Sequence, residues 1–294
     1  MTVSTRYQYE RYQSDISRAQ ERYLNLQSQV ATGKRVTTIS DDPVAAAHLI
    51  SLKGVKATTE QYVKNLDGAK GTLGFSEGAL DESNKLLKRA YELAVSGANS
   101  TMSQEGRNAM AVEVRDIQQR LVALGNTRDG SGHYIFAGQS IDTKPFVSGT
   151  TGITFNGDTN PAFVEVGPGE TMDPGTNLSA VLVPAYNNLT QLANDLEGGN
   201  LGNISGVDLT AMQNTMSAYN AARGVIGSKL QTIDRLKSDY ARRIDDFATQ
   251  ISDVEDVDLS ETLVAYQQAQ GTYTAAMQIA SQGFRLSLMD FIRG

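Results

Sequence analysis

Cysteine and tryptophan are absent from the 294 residues, histidine occurs twice and proline six times. Without cysteine there is no disulfide, no thiol nucleophile and no cysteine-type zinc cluster. That absence fits two compositions equally: a cytosolic fold, or a protein that works outside the cell and avoids adventitious crosslinks. No run of about 18 or more apolar residues occurs, so no membrane-spanning helix is expected. The first thirty residues are polar and aromatic. They lack the apolar centre and small-residue cleavage site of a secretory signal, so none is expected. Acidic residues outnumber basic ones by 33 to 26, a net charge of -7. With a pI near 5.0, that argues against a nucleic-acid partner, which needs clustered basic charge.

Catalytic groups are as sparse. His48 and His133 are the only histidines, and a lone histidine is more often structural than chemical. No serine–histidine–acid arrangement is suggested. Gly33-Lys34 lacks the upstream glycine and following Ser or Thr of a phosphate loop. Asp253, Glu255, Asp256 and Asp258 lack the spacing and the glycine of a calcium loop. They read as a solvated connector between helices. No catalytic, cofactor-binding or metal site is expected, and no cofactor.

What the chain does have is heptads. Near the N-terminus Tyr9, Tyr12, Ile16, Ala19, Tyr23, Leu26 and Val30 step by three and four. Near the C-terminus Leu259, Leu263, Tyr266, Gln270, Tyr273, Met277, Ala280, Phe284, Ser287 and Phe291 do the same. Such spacing makes a narrow apolar seam that a helix buries against another helix. Two seams at opposite ends suggest termini that pair with each other or with neighbouring copies, a design for assembly. Tyr7, Tyr9, Tyr12 and Tyr23 at this spacing read as interhelical packing rather than a stacking surface.

Between the ends the spacing predicts a first helix over 5–31, closed by Gly33 as a left-handed cap. Ser40-Asp41-Asp42-Pro43 is a helix-start turn: Asp42 can cap free N–H groups, and proline suits the first helical position. A long helix follows over 43–96, with a seam from Leu52 through Val55, Thr59 and Leu66 to Ala94. Another covers 104–124, with a stripe of Met110, Val114, Ile117, Leu121 and Leu124. From Gly125 glycine-rich turns take over. His133–Ala137, Ile153–Phe155 and Ala162–Val166 read as short strands, with Asn156-Gly157 as a hairpin signal. A helix over 184–196 and a glycine-rich break over 198–206 precede the cleanest period. It runs from Leu209 through Met212, Tyr219, Ile226, Ile233 and Tyr240 to Val254, interrupted by Arg223 and Lys237. That helix spans on the order of 70 Å at about 1.5 Å per residue, which implies an elongated body.

The fold class expected is mainly α with a small β-rich insert: long antiparallel helices, the terminal pair forming a coiled coil. Three domains are expected. Residues 1–40 and 256–294 make a terminal assembly domain, 41–137 and 184–255 a long-helix rod, and 138–183 a β-rich outer domain.

Three motifs carry a resemblance. They are Ala31-Thr32-Gly33-Lys34-Arg35-Val36 followed by Ser40-Asp41-Asp42-Pro43-Val44-Ala45-Ala46; Leu124-Gly125-Asn126-Thr127 with Gly132-His133-Tyr134-Ile135-Phe136-Ala137-Gly138; and Tyr266-Gln267-Gln268-Ala269 with Leu286-Ser287-Leu288-Met289-Asp290-Phe291-Ile292. Together they resemble the flagellin-like family, in its hook–filament junction branch, over about residues 5–145 and 210–294. Residues 146–205 match nothing nameable. The resemblance implies an extracellular flagellar protein without enzymatic activity, exported by the type III route, with terminal helices that fold on assembly. It implies a ring of copies between the first hook-associated junction protein and flagellin, and an export chaperone as a further partner, with no nucleic acid and no membrane. Tyr12, Ile16, Tyr23 and Leu26 would pack against Tyr273, Met277, Phe284 and Phe291. Lys34 and Arg35 would make intersubunit salt bridges or lie in a solvated loop. The rivals are a short flagellin, a secreted enzyme on a flagellin-like scaffold, and a coiled-coil adhesin.

Overall fold

The computed structural model describes the backbone of residues 2–149 and 152–293, and all their side chains except those of residues 2–6, 8–9 and 283–293. Among the described residues seven α-helices hold most of the chain: α1 (Thr2–Thr32), α2 (Pro43–Gly97), α3 (Gln104–Gly125), α4 (Ser179–Gly198), the single turn α5 (Leu201–Asn203), α6 (Leu209–Glu255) and α7 (Leu259–Arg293). Two antiparallel hairpins lie between α3 and α4: β1 (Phe146–Gly149) with β2 (Gly152–Phe155), and β3 (Val164–Gly167) with β4 (Glu170–Met172). The chain divides into two compact units, residues 1–58 with 243–294, and residues 59–242.

The second unit holds the large core, and its leucines are spaced by sevens. Leu66, Leu73, Leu80 and Leu87 of α2 are fully buried. So are Met212, Tyr219, Ile226 and Ile233 of α6, with Tyr240 nearly so. A strict seven-residue step keeps one stripe of each helix facing a partner. Both residues that break the α6 stripe are cations that find acids on α2. Arg223 reaches Glu77 at 2.7 Å and Asp81 at 3.0 Å, and Lys237 pairs with Asp67. Val55 departs from the expected α2 seam and is exposed.

Helix α3 begins at Ser103, whose hydroxyl accepts from the Gly106 N–H, and packs its predicted stripe against α4. Gly125 closes it at a point where a Cβ would meet Leu182 at 2.4 Å and Phe146 at 2.9 Å. Only glycine permits that approach. Phe146 and Phe155 pack at a tilt of 49° across the first hairpin, 5.2 Å between ring centroids, and seat it on α3 and α4. The second hairpin is tied to the long helices by three bonds: Tyr240 Oη donates to Val166 O at 2.6 Å, Asn65 Nδ2 to Glu165 O at 2.8 Å, and Tyr62 Oη to Glu165 Oε1 at 3.2 Å.

Several expectations are corrected. His133–Ala137 is a series of turns with one bridge between Arg128 and Tyr134, not a strand. Its N–H groups are taken locally, Tyr134 N by Ile141 O and Ile135 N by Thr127 O, while Ile135, Phe136 and Ala137 reach the core. Asn156-Gly157 follows β2 rather than turning a hairpin; the first hairpin pairs Gly149 with Gly152, and β1 was not foreseen. Helix α4 starts at Ser179, ahead of Pro184, because extending it buries Leu178 and Leu182. The glycine-rich break at 198–206 is mostly helical, ending in a π-helical turn over Ile204–Asp208 that runs into α6. The fully buried Ile204 anchors it.

One buried group in the α6 stripe is unsatisfied. Tyr219 Oη has no hydrogen-bond partner, and burial raises its pKa far above the ordinary 10. A stranded hydroxyl carries a desolvation cost with no return. Tyr219→Phe is therefore expected to stabilise the protein by roughly 1 kcal/mol, read as a higher denaturant midpoint with an unchanged slope. A lower midpoint would show that the hydroxyl is satisfied in solution.

Candidate assembly interface

The first unit has little core of its own. Val36, Ala46 and Leu49 are buried, with Ala45, Ile251 and Val254 packed against them. What holds it is the pairing of α1 with α7 and a polar knot between the connectors beneath.

On α1, Tyr12, Ile16, Ala19, Tyr23, Leu26 and Val30 are all half-buried, the six described positions of the expected seam. On α7 the buried and half-buried positions are Thr262, Ala265, Tyr266, Ala269, Tyr273, Ala276 and Ala280, with Ala265 on the flank of the others' three-four step. Tyr266, Tyr273 and Ala280 were expected there. Leu263, Gln270 and Met277 were also expected, and they lie outside the seam, one position too late in each heptad. The physical reason is steric. Tyr23 stacks on Tyr266 at 5.4 Å and on Tyr273 at 5.8 Å between centroids, and its hydroxyl lies 3.3 Å from that of Tyr266. Three rings in one layer need room. Small residues at the alternate heptad position supply it, where Leu263 and Met277 would fill it. Thus Tyr23 meets Tyr273, whereas Met277 faces solvent. Tyr9, Phe284, Ser287 and Phe291 lie outside the residues whose side chains are described.

Below the coiled coil the two connectors bind each other. Gly33, at φ +70, ends α1. Arg35 N donates to Glu255 O at 2.6 Å and Val257 N to Gly33 O at 3.0 Å. Glu255, with a nearly buried side chain, accepts from Lys34 Nζ at 2.6 Å and from Lys53 Nζ at 2.7 Å. Those hydrogen bonds hold its carboxyl below the usual glutamate range. Glu255 is therefore not part of a solvated connector: it links α6, α2 and the loop after α1. Within the chain Lys34 pairs with Glu255, and Arg35 with Asp42 at 3.2 Å and with Val254 O at 3.0 Å.

The helix-start turn completes the knot. Asp41 Oδ2 accepts from Thr37 N, Thr37 Oγ1 and Thr38 N, and these bonds pull its carboxyl down to about 2. Asp42 Oδ1 caps α2 by accepting from Ala45 N at 3.0 Å, and Pro43 is the helix's first residue. Ser40 is exposed. Asp41, Asp42, Arg35 and Thr37 line a polar recess of about 300 Å³ against Asn25, Ser28 and Gln29 of α1.

The polar surface of this unit is interrupted by large apolar side chains. Leu24, Val44, Ile50, Leu259, Leu263, Val264, Met277 and Ile279 are all exposed. Leu263 and Met277 lie fourteen residues apart, two heptads, and so share one stripe beside the seam. Single exposed apolar side chains are ordinary, but a grouping of them marks a contact surface. Among the described residues no group of three His, Cys, Asp or Glu is placed to hold a metal ion.

Residues 3–140 match the bacterial flagellin N-terminal helical region. Over all of both chains this sequence is 28% identical to flagellar hook-associated protein 3 of Salmonella typhimurium. Among solved structures, FlgL of Bacillus cereus is similar with a TM-score of 0.61 at 24% identity, covering 69% of this chain and 99% of that one. A Vibrio parahaemolyticus protein described as flagellar hook-associated gives 0.68 at 24% identity, covering 74% and 100%. The fold is therefore flagellin-like, and the relatives are structural proteins of the flagellum, not enzymes.

Proposed function

We propose that this chain, which carries the flagellin N-terminal helical region and resembles flagellar hook-associated protein 3 along its whole length, joins the flagellar hook to its filament. Its role is structural and it acts as a part of the flagellum. Copies form a ring, with one face on the first hook-associated junction protein and the other on flagellin. The unfolded chain travels through the flagellar type III channel, held ready by an export chaperone.

The observation that carries this reading is the imbalance of the first unit. Its α1 seam is half-buried throughout, its one core cluster has only three buried residues, and leucine, isoleucine, valine and methionine side chains are exposed on it. A helix pair built this way gains most of its stability from neighbours. The tyrosine layer fixes α1 against α7, and the Glu255 knot ties the loop after α1 to the first part of α2 and the end of α6. That arrangement decides which residues of this unit the neighbours meet. Residues 1–40 with 256–294 serve as the assembly domain, and residues 138–183 as a separate β-rich domain.

The test is deletion of the gene, with electron microscopy of the cells and an assay of flagellin in the medium. Bare hooks with flagellin lost to the medium are expected. Bare hooks with no flagellin anywhere would make the chain the filament subunit. Normal filaments would overturn the flagellar reading.

A further inference from the structure

A buried acidic pair sits where α4 passes into α6. Asp195, in the last turn of α4, and Asp208, at the end of the π-helical turn, are 3% and 2% exposed. Asp195 is fully provided with donors: Asn200 Nδ2 at 2.7 Å and Asn203 Nδ2 at 3.3 Å on Oδ1, Gln191 Nε2 at 2.7 Å on Oδ2. These bonds hold it ionised, below the ordinary aspartate range, against the cost of its burial. Asp208 has no such set. Its Oδ2 is buried and meets no donor, and burial, with the Asp195 charge beside it, raises its carboxyl.

Two carboxylates cannot hydrogen-bond without a proton between them, and two adjacent buried negative charges are disfavoured. From these positions we infer that Asp208 is the protonated member of a shared-proton pair, an acid-closed latch that fastens the π-helical turn to the end of α4. Asp208 then donates its proton to Asp195, and Asp195 receives four hydrogen bonds in all. When the proton leaves for solvent, the pair repels and the latch loosens.

Among the described residues no cation shifts either carboxyl. The groups that shift either carboxyl are burial, the other aspartate and the three amides. The charged residues of α3 that face α4 are otherwise engaged: Arg107 with Gln104 and Asn99 O, Arg115 with Glu197 and Asn194. Gln104 itself donates to Leu196 O and Glu197 O at the same helix end. A π-helical turn adds a residue to the helix without adding a bond, and such turns recur at functional positions. Here the extra residue brings the second carboxyl into the first one's cage.

Burial and the Asp195 charge raise Asp208 from 3.8 to about 6. Between those values the native chain keeps a proton that the unfolded chain has lost. Stability is therefore greatest below the lower value, falls as pH rises across the window, and stays reduced above about 6. Two pH units correspond to a change on the order of 100-fold in the unfolding constant.

The test compares Asp208→Asn with the parent in denaturant unfolding between pH 4 and pH 8. Asparagine keeps the donor and removes the titration. The variant's advantage over the parent is expected to grow by up to about 100-fold in the unfolding constant as pH rises through the window, then level off. A second measurement does not depend on the variant folding: the infrared band of a protonated carboxylic acid, expected in the native parent at pH 5 and lost by pH 8. Parallel pH profiles for the two chains, or no such band at pH 5, would overturn the latch.

Discussion

A chain carrying Leu263→Asp with Met277→Asp is expected to melt as the parent does and to leave cells with bare hooks. Both side chains are about half exposed, 46% and 48%, in a helix whose seam lies elsewhere. Substitution of such surface positions shifts monomer stability by about 0.5 kcal/mol or less. In an assembly the same stripe would be covered. A carboxylate buried there without a partner costs several kcal/mol, and two of them weaken each contact on the order of 1000-fold or more. The measurements are circular dichroism melting of the purified variant and electron microscopy of a complemented deletion strain. Normal filaments on complemented cells would remove this stripe from the assembly surface. Tyr266→Ala is the contrasting change: it strikes the internal seam, so the unit's own melting should fall along with assembly.

The second large effect concerns Glu255. Replacing it with glutamine removes one charge that Lys34 and Lys53 share. Hydrogen bonds to charged groups contribute about 1.5–3 kcal/mol each. Both lysines are roughly half exposed, at 47% and 49%, so water recovers much of that. The net cost expected is about 2 kcal/mol in the first unit. The second unit should keep its own transition, because its core lies within residues 59–242. Limited proteolysis reads this directly, with earlier cleavage in residues 33–42 and 255–258 and unchanged protection of 66–94. Equal loss of protection in both units would refute the local role. The pH dependence has a definite sign. The folded carboxyl of Glu255 is depressed by its lysines. Its contribution is therefore complete above the ordinary glutamate value and disappears as acidification protonates the folded form. This is opposite to the latch at Asp208, so acid is expected to loosen the first unit while tightening the turn into α6.

Much of the helical layout is legible in the sequence because heptads are a local code. Every expected seam position of α6, from Leu209 to Val254, is buried or half-buried, and α2 departs only at Val55. Asp42-Pro43 and Gly33 mark helix ends through backbone chemistry that acts within a few residues. The departures come where neighbours distant in sequence compete. On α7 both Leu263 and Thr262 satisfy a three-four rhythm with Tyr266, and hydrophobicity favours leucine. The choice of threonine and alanine follows from a ring on α1, 243 residues away from Tyr266 in sequence, that must fit between Tyr266 and Tyr273. Glu255 reads as one more acid in a polar connector until two lysines from separate segments arrive at it.

The sequence by itself determined the helices, their caps, the lack of disulfides and the flagellin-like family they resemble, because each of these rests on spacing or residue type within one segment. The tertiary structure alone decided which flank of α7 is covered, that His133–Ala137 is a series of turns with its last three residues buried, that Glu255 is a junction, and that Asp195 and Asp208 are both buried where α4 passes into α6. Those depend on which segments meet, and contact between distant segments is set by the packing of whole side chains rather than by any local period.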